Sequence, residues 1–250
     1  MINLIRAEFR KLFTTQVWFW LLVASLALTA LQVIVVVANT DDQAEYIRNG
    51  TNTFSGAGNS TLFVMVLGII GITAEFRHQT ITPTLLATPS RLKVVGGKLI
   101  TYLLLGAAYA AAGIAATVGI ALPWLSAKGI DASLSDPDVP RTLIASFVVV
   151  SLYALLGVGI GSLLTNQAAA ITLSIVYFAV IETLVMLIPG VREVYPYLPG
   201  AASSAMLVDS TDRVQENFTF LSPPAGAAVF VLWALAFSAV GVWRMRRDVS

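Results

Sequence analysis

The stretch GITAEFRHQTITPTLLATPSRLKVVGGK occupies residues 71–98 and separates two long apolar runs. It carries Glu75, Arg77, His78, Arg91, Lys93 and Lys98, the densest positive segment of the chain. It is too short to be a domain and too charged to lie in a bilayer core. It therefore reads as a connection between two membrane spans. The 250-residue chain around it is 57% hydrophobic and 12% charged. Soluble domains average about 45–50% apolar and about 25% charged. The apolar residues are gathered in runs, which points to an all-α integral membrane protein forming a single transmembrane domain over residues 1–250. A net charge of +1 gives no argument for nucleic acid. The lack of cysteine removes disulfides, thiolate metal sites and cysteine nucleophiles.

Working outward from the stretch, runs of about 20 apolar residues mark bilayer-crossing helices. Six are expected. The first is Val17 to Ala38. The second starts near Phe54 and ends near Ala74, because Leu62 to Ala74 alone is too short and the small residues of TFSGAGNST must be included. The third runs from Val94 or Gly97 to Leu122 and stops at Pro123. The fourth is Leu143 to Leu164, the fifth Ala168 to Ile188 and the sixth Ala225 to Trp243. The first run is too long for a signal-peptide core and no A-x-A site follows it, so it reads as a retained anchor.

Lysine and arginine set the orientation. With the N-terminus inside, ten of them fall in inner segments: Arg6, Arg10, Lys11, Arg77, Arg91, Lys93, Lys98, Arg244, Arg246 and Arg247. Five fall outside: Arg48, Lys128, Arg141, Arg192 and Arg213. Acidic residues lean the other way. Both termini and residues 71–98 are thus expected in the cytoplasm, with the chain multi-pass in the plasma (inner) membrane.

Residues 1–14 precede the first span. At 100° per residue, Ile2, Ile5, Phe9, Leu12 and Phe13 share an arc of about 100°, with Arg10 and Lys11 away from it. This predicts an amphipathic helix in the inner interface, against the plainer reading of a cytoplasmic extension of span one. On the other side, Asn39 to Thr53 and Trp124 to Arg141 read as acidic outer loops. The longest outer segment is 189–224, in which AASSAMLV is too short to cross and suits a short helix at the outer interface. Asn49, Asn59 and Asn217 match the N-x-S/T pattern, one that arises often by chance.

Few residues suggest chemistry. The one histidine, His78, has no cysteine to join it in a metal site and no nucleophile elbow beside it. VVGGKL lacks the first glycine and the Ser/Thr of a phosphate loop. Gly157 and Gly161, in GVGIGS, are four apart, a spacing that lets membrane helices approach closely; a flexible gate is the other reading. Glu182 lies inside the fifth span, roughly 9 Å from its outer end at the helical rise. An intramembrane carboxylate is costly and suggests function. It could line a substrate path, or be protonated and bonded to a neighbouring helix.

In the opening stretch, Glu75 sits where the second span leaves the bilayer. Thr82 and Pro83 form a helix start, so TLLATPSR reads as a short surface helix ending near Pro89. Arg91, Lys93 and Lys98 are placed to meet anionic headgroups of the membrane lipid. A basic loop needs only lysine and arginine; it does not need Glu75, Thr80 or Pro89.

AEFRHQTITPTLLATPSRLKVVGGK resembles the loop between spans two and three of bacterial ATP-binding-cassette type-2 permeases. The resemblance lies in Glu75, Thr80, Leu85, Pro89, Arg91 and Lys98, with Arg77 in the same segment. RAEFRKLFTT resembles the interfacial helix of that family, and the six-span layout agrees over the whole chain. The resemblance implies a transport subunit and no catalytic site of its own. Residues 75–93 would form a coupling helix that docks on a separate ATPase. The working unit would hold two ATPase copies and a second permease subunit, the same chain or a related one, with ATP bound by the partner. The resemblance implies export of a hydrophobic or amphipathic compound, such as a drug or a lipid. A secondary transporter or channel would instead need several intramembrane charges, and an intramembrane enzyme would need clustered His, Cys or carboxylates.

Overall fold

The computed structural model describes residues 2–78, 91–136, 138–207 and 219–247; the side chains of 48–51, 91–92, 242 and 244–247 are outside that description. Helix follows helix. An N-terminal helix α1 (Ile2–Phe13) leads into α2 (Val17–Ala38). Then come α3 (Gln43–Ser55), a 3₁₀ turn (Gly56–Ser60) and α4 (Thr61–Arg77). Next are α5 (Arg91–Ala127) and α6 (Asp138–Leu163). The chain continues through α7 (Gln167–Val176), a π-helical turn (Tyr177–Ile181) and α8 (Glu182–Leu187). A 3₁₀ turn (Arg192–Tyr197), α9 (Pro199–Leu207) and α10 (Pro223–Arg247) complete it. The described residues contain no strand.

Among the described residues, six stretches are long and apolar enough to cross a membrane: Val17–Ala38, Asn52–Arg77, Lys93–Ala127, Asp138–Leu163, Gln167–Leu187 and Pro223–Gly241. This is an all-α, multi-pass membrane protein, as the apolar runs predict. Spans two and four form the core, each with 56% of its most apolar window buried, whereas spans one and five have 22% and 17%. The outward side chains of the latter two are large and apolar, among them Trp20, Leu31, Leu173 and Leu184. On a soluble protein such a surface would aggregate; here it faces lipid. An even number of crossings puts α1 and the end of α10 on one side of the bundle, here called the base.

Span four is packed through its glycines. A Cβ on Gly157 would lie 2.1 Å from the Met65 carbonyl, and one on Gly161 would lie 2.5 Å from Ile72 Cγ2. Gly68 on α4 returns the fit, since its Cβ would lie 2.5 Å from the Ala154 carbonyl. The Gly157/Gly161 spacing is thus a backbone-to-backbone crossing of spans two and four, the packing reading of that motif.

Several boundaries differ from the sequence expectation, each for a local reason. The expected outer loop 39–53 is largely helical. Asp42 caps α3 by accepting from the Glu45 amide at 2.7 Å, while Glu45 accepts from the Asp41 amide at 2.9 Å. This is close to a capping box. The third span does not stop at Pro123, and α5 continues to Ala127. An interior proline costs roughly 3 kcal/mol. Ala121 and Leu125, buried on Val33, Val37 and Phe54, hold the last turn in place. The fourth span begins at Asp138, because Asp138 and Pro140 suit a first helical turn. AASSAM is helical within α9, and its Ala201, Ala202 and Ala205 are buried in the bundle.

The glycine packing yields a direct test. Gly157→Ala should destabilise the fold by about 1–3 kcal/mol through overpacking. Gly119→Ala, where a Cβ meets nothing within 4 Å, should be near neutral. Thermal unfolding in a mild detergent compares the two, and equal melting temperatures would count against the close crossing.

Candidate functional site

α1 lies against the base of the bundle by one edge of its apolar arc, at Leu12, together with the neighbouring Glu8. Glu8 and Leu12 are buried, while Ile2 and Phe13, at 74% and 54% exposure, point away from the protein. The outward apolar side is what an interfacial helix requires. The inward side brings Glu8 to α4 and α5.

Four charges meet there. Glu75, in the last turns of α4, receives Lys11 Nζ at 2.6 Å and Lys98 Nζ at 3.0 Å, both on Oε1. Glu8 receives Lys98 Nζ at 2.6 Å on Oε2 and Lys11 Nζ at 2.9 Å on Oε1. Lys98 also donates to the Gly71 carbonyl at 3.1 Å. Gly71 is fixed by this contact and by its neighbour, since a Cβ there would lie 1.7 Å from the Tyr102 hydroxyl. Glu8, Glu75 and Lys98 are each under 5% exposed, and Lys11 forms the half-exposed edge. Two carboxylates and two ammonium groups alternate, so the buried cluster is neutral. Burial pulls the Lys11 ammonium down, but its hydrogen bonds to Glu75 and Glu8 and their negative charges outweigh that. Its pKa lies above the ordinary 10.5.

A cavity of about 330 Å³ adjoins the cluster. Its walls include Leu12, Val17, Leu67 and Ile70, and its polar edge Lys11, Glu75 and His78. Among the described residues no three His, Cys, Asp or Glu side chains gather as a metal site would need.

Of the residues singled out from the sequence, Glu75 is in the cluster. Arg77 is exposed in the last turn of α4. Arg91 is described only as the first residue of α5. Thr80, Leu85, Pro89 and the expected TLLATPSR helix lie outside the described residues. Lys98 does not reach headgroups as expected; it is 1% exposed, because two buried carboxylates and the Gly71 carbonyl offer it more than water does. Sequence reasoning missed Glu8 altogether. The available signal was one acid among Arg6, Arg10 and Lys11, standing beside Leu12 at the edge of the apolar arc.

Glu182 sits apart from the cluster. Its Oε1 accepts from the Gly200 amide at 2.9 Å and its Oε2 from the Ala201 amide at 3.1 Å. These are the first amides of α9, where a helix lacks internal partners and favours negative charge. A Cβ on Gly200 would lie 2.1 Å from Oε2, so glycine permits the approach. The observed contacts are thus bonds to a neighbouring helix.

No family model matches the chain, and a search of curated proteins finds no match.

Lys98→Met should cost about 3–5 kcal/mol by leaving buried carboxylates short of a partner. Lys98→Met with Glu8→Gln should recover part of that loss, which thermal unfolding of both variants measures. Glu182→Ala should free the start of α9, seen as faster amide hydrogen exchange at residues 200–203 with little change in spans two and four.

Proposed function

We propose that this chain is the membrane-spanning permease subunit of an ATP-driven transporter of the ATP-binding-cassette type-2 kind. A separate ATPase would dock on the loop between spans two and three. On this reading the base of the bundle faces the cytoplasm. Two copies of the ATPase serve two membrane subunits, either two copies of this chain or this chain and a related one. The cargo is a hydrophobic or amphipathic compound moved outward across the plasma membrane.

The observation that carries the reading is the cluster of Glu8, Lys11, Glu75 and Lys98. Glu75 precedes the loop and Lys98 follows it, and the two are 3.0 Å apart at their charged atoms. Glu8 and Lys11 tie α1 to the same point. A force applied to the loop would therefore reach span two, span three and the interfacial helix together. An ordinary connecting loop has no need of such a joint, whereas a loop that delivers work does. The family resemblance of residues 75–98 supports the same role.

The test is purification from native membranes under mild conditions, with mass spectrometry and an ATPase assay of the eluate. The expected result is an ATPase subunit in near-stoichiometric amount. It should be lost when residues 84–91 are replaced by a neutral linker that leaves membrane insertion intact. Recovery of the chain without any ATPase would shift the reading to a secondary transporter or channel.

A further inference from the structure

We infer that the half of span five farthest from the base, residues 177–187, is a gate that turns about its π-helical segment and is latched by Glu182 on the first amides of α9. Burial separates this half from the other. The base half, α7, sets Ala170 and Ser174 into the bundle. Beyond it, the π-turn Tyr177–Ile181 buries no residue and α8 buries Glu182 alone. Val180, Ile181, Leu184 and Leu187 are exposed, so the apolar side chains give this segment little grip on the protein. Glu182 supplies the grip, accepting from the Gly200 amide at 2.9 Å and the Ala201 amide at 3.1 Å.

The wall on which Glu182 closes is fixed. Ala201, Ala202 and Ala205 of α9 are buried. A Cβ on Gly226 of α10 would lie 2.6 Å from the Ala202 carbonyl, so α9 and α10 meet backbone to backbone. Trp233 Nε1 donates to the Tyr197 carbonyl at 2.8 Å, which pins the turn before α9. One side of the Glu182 contact is thus anchored at several points, and the other by one side chain.

The movable side lies between two breaks in the helix. A π-turn carries i→i+5 bonds, and such turns recur at functional sites. At the other end Ile188 is extended and Gly190 has φ 86°, a region that glycine enters freely. Beneath the segment, Phe178 packs on Tyr153 with ring centroids 5.5 Å apart. The Tyr153 hydroxyl lies 3.0 Å from Ser203 Oγ. Opening would bare this ring and these hydroxyls to the bilayer, a surface suited to an amphipathic molecule. On the transport reading such a molecule is the cargo, but the latch and the pivot do not rest on that reading.

The chain has no cysteine, so a pair of spin labels reads the gate directly. Ile144→Cys on α6 and Leu187→Cys, both at exposed positions, are labelled in the full-length protein in lipid nanodiscs. Dilution with unlabelled protein restricts the pulsed electron-electron measurement to distances within one chain. A tilt of about 20° about Tyr177 would carry Leu187, about 15 Å along the helix, by about 5 Å. Glu182→Ala should lengthen or spread the distance by that amount. Gly200→Ala should do the same from the other side of the latch, since a Cβ there would lie 2.1 Å from Glu182 Oε2, and it serves if the first variant does not fold. Removing Val180 in the Glu182→Ala background takes away the pivot and should narrow the distribution again. Unchanged distances in both latch variants would overturn the latch. A distribution still broad after removal of Val180 would overturn the pivot. A second pair, Leu31→Cys with Ile144→Cys, should keep its distance throughout; movement there would mean that the whole bundle loosens, and would overturn the gate. These readouts need no ATPase, so the gate and the transport reading fail separately.

Discussion

The structure depends on a rule of charge at its base: an ion removed from water must find its counter-ion inside the protein. Two glutamates and two lysines meet this rule together, and none of the four could be buried alone. Desolvation costs several kcal/mol per ion even after relaxation. The arrangement offsets this by alternating sign and sharing oxygens, with Glu75 Oε1 serving both ammonium groups. The consequence is geometric. Three elements far apart in sequence, α1 and the facing ends of α4 and α5, are held to one point. Gly71 and Tyr102 follow from it, because the Gly71 carbonyl must reach Lys98 while the phenol takes the space of a Cβ.

The same demand governs the backbone elsewhere. A bilayer offers no water to unpaired amides and carbonyls, so each break in a helix must be met from within. At the opposite end from the base, Lys128 donates to the carbonyls of Val37, Ala38 and Thr40, closing the end of α2. Glu182 closes the start of α9 in the complementary sense, its carboxyl oxygens accepting where amides lack helical partners. Asn166 caps α7 by accepting from the Ala169 amide at 3.0 Å. The polar residues within an otherwise apolar chain thus mark helix ends more often than reaction centres.

This separates what the sequence made legible from what it hid. The six spans were readable because each has an apolar run that no loop of a soluble protein would carry. The Gly157/Gly161 crossing was readable from its spacing. The helix over Gln43–Ser55 was hidden because its composition is polar, although Asp42 and Glu45 stood at capping distance. Pro123 misled because propensity was weighed without the packing of Ala121 and Leu125 that overrides it. The charge cluster was half legible. Glu75 stood out at a span boundary, but Glu8 looked like one more residue of a polar face. Its partner Lys98 is 90 residues away, and no local pattern reports a pairing at that separation.

Span two joins the two themes. Its base end is fixed by Glu75 and by the glycine crossing with span four, whereas its other end passes through the 3₁₀ turn Gly56–Ser60. With three residues per turn, that segment presents three faces. Asn59 donates to Gln32 at 2.6 Å on one face, which Gly56 shares. A Cβ on Gly56 would lie 3.7 Å from Thr117 Oγ1, and one on Gly58 would lie 3.8 Å from Ser146 Oγ. Ser60, Thr117 and Ser146 all hold buried hydroxyls without partners among the described residues. Spare hydrogen-bonding groups around a non-α turn give the backbone new partners at little cost if the turn shifts. The span is thus stiff where charge fixes it and compliant where hydroxyls surround it. On the proposed reading, a push delivered at Glu75 would be carried rigidly through α4 and absorbed at residues 56–60.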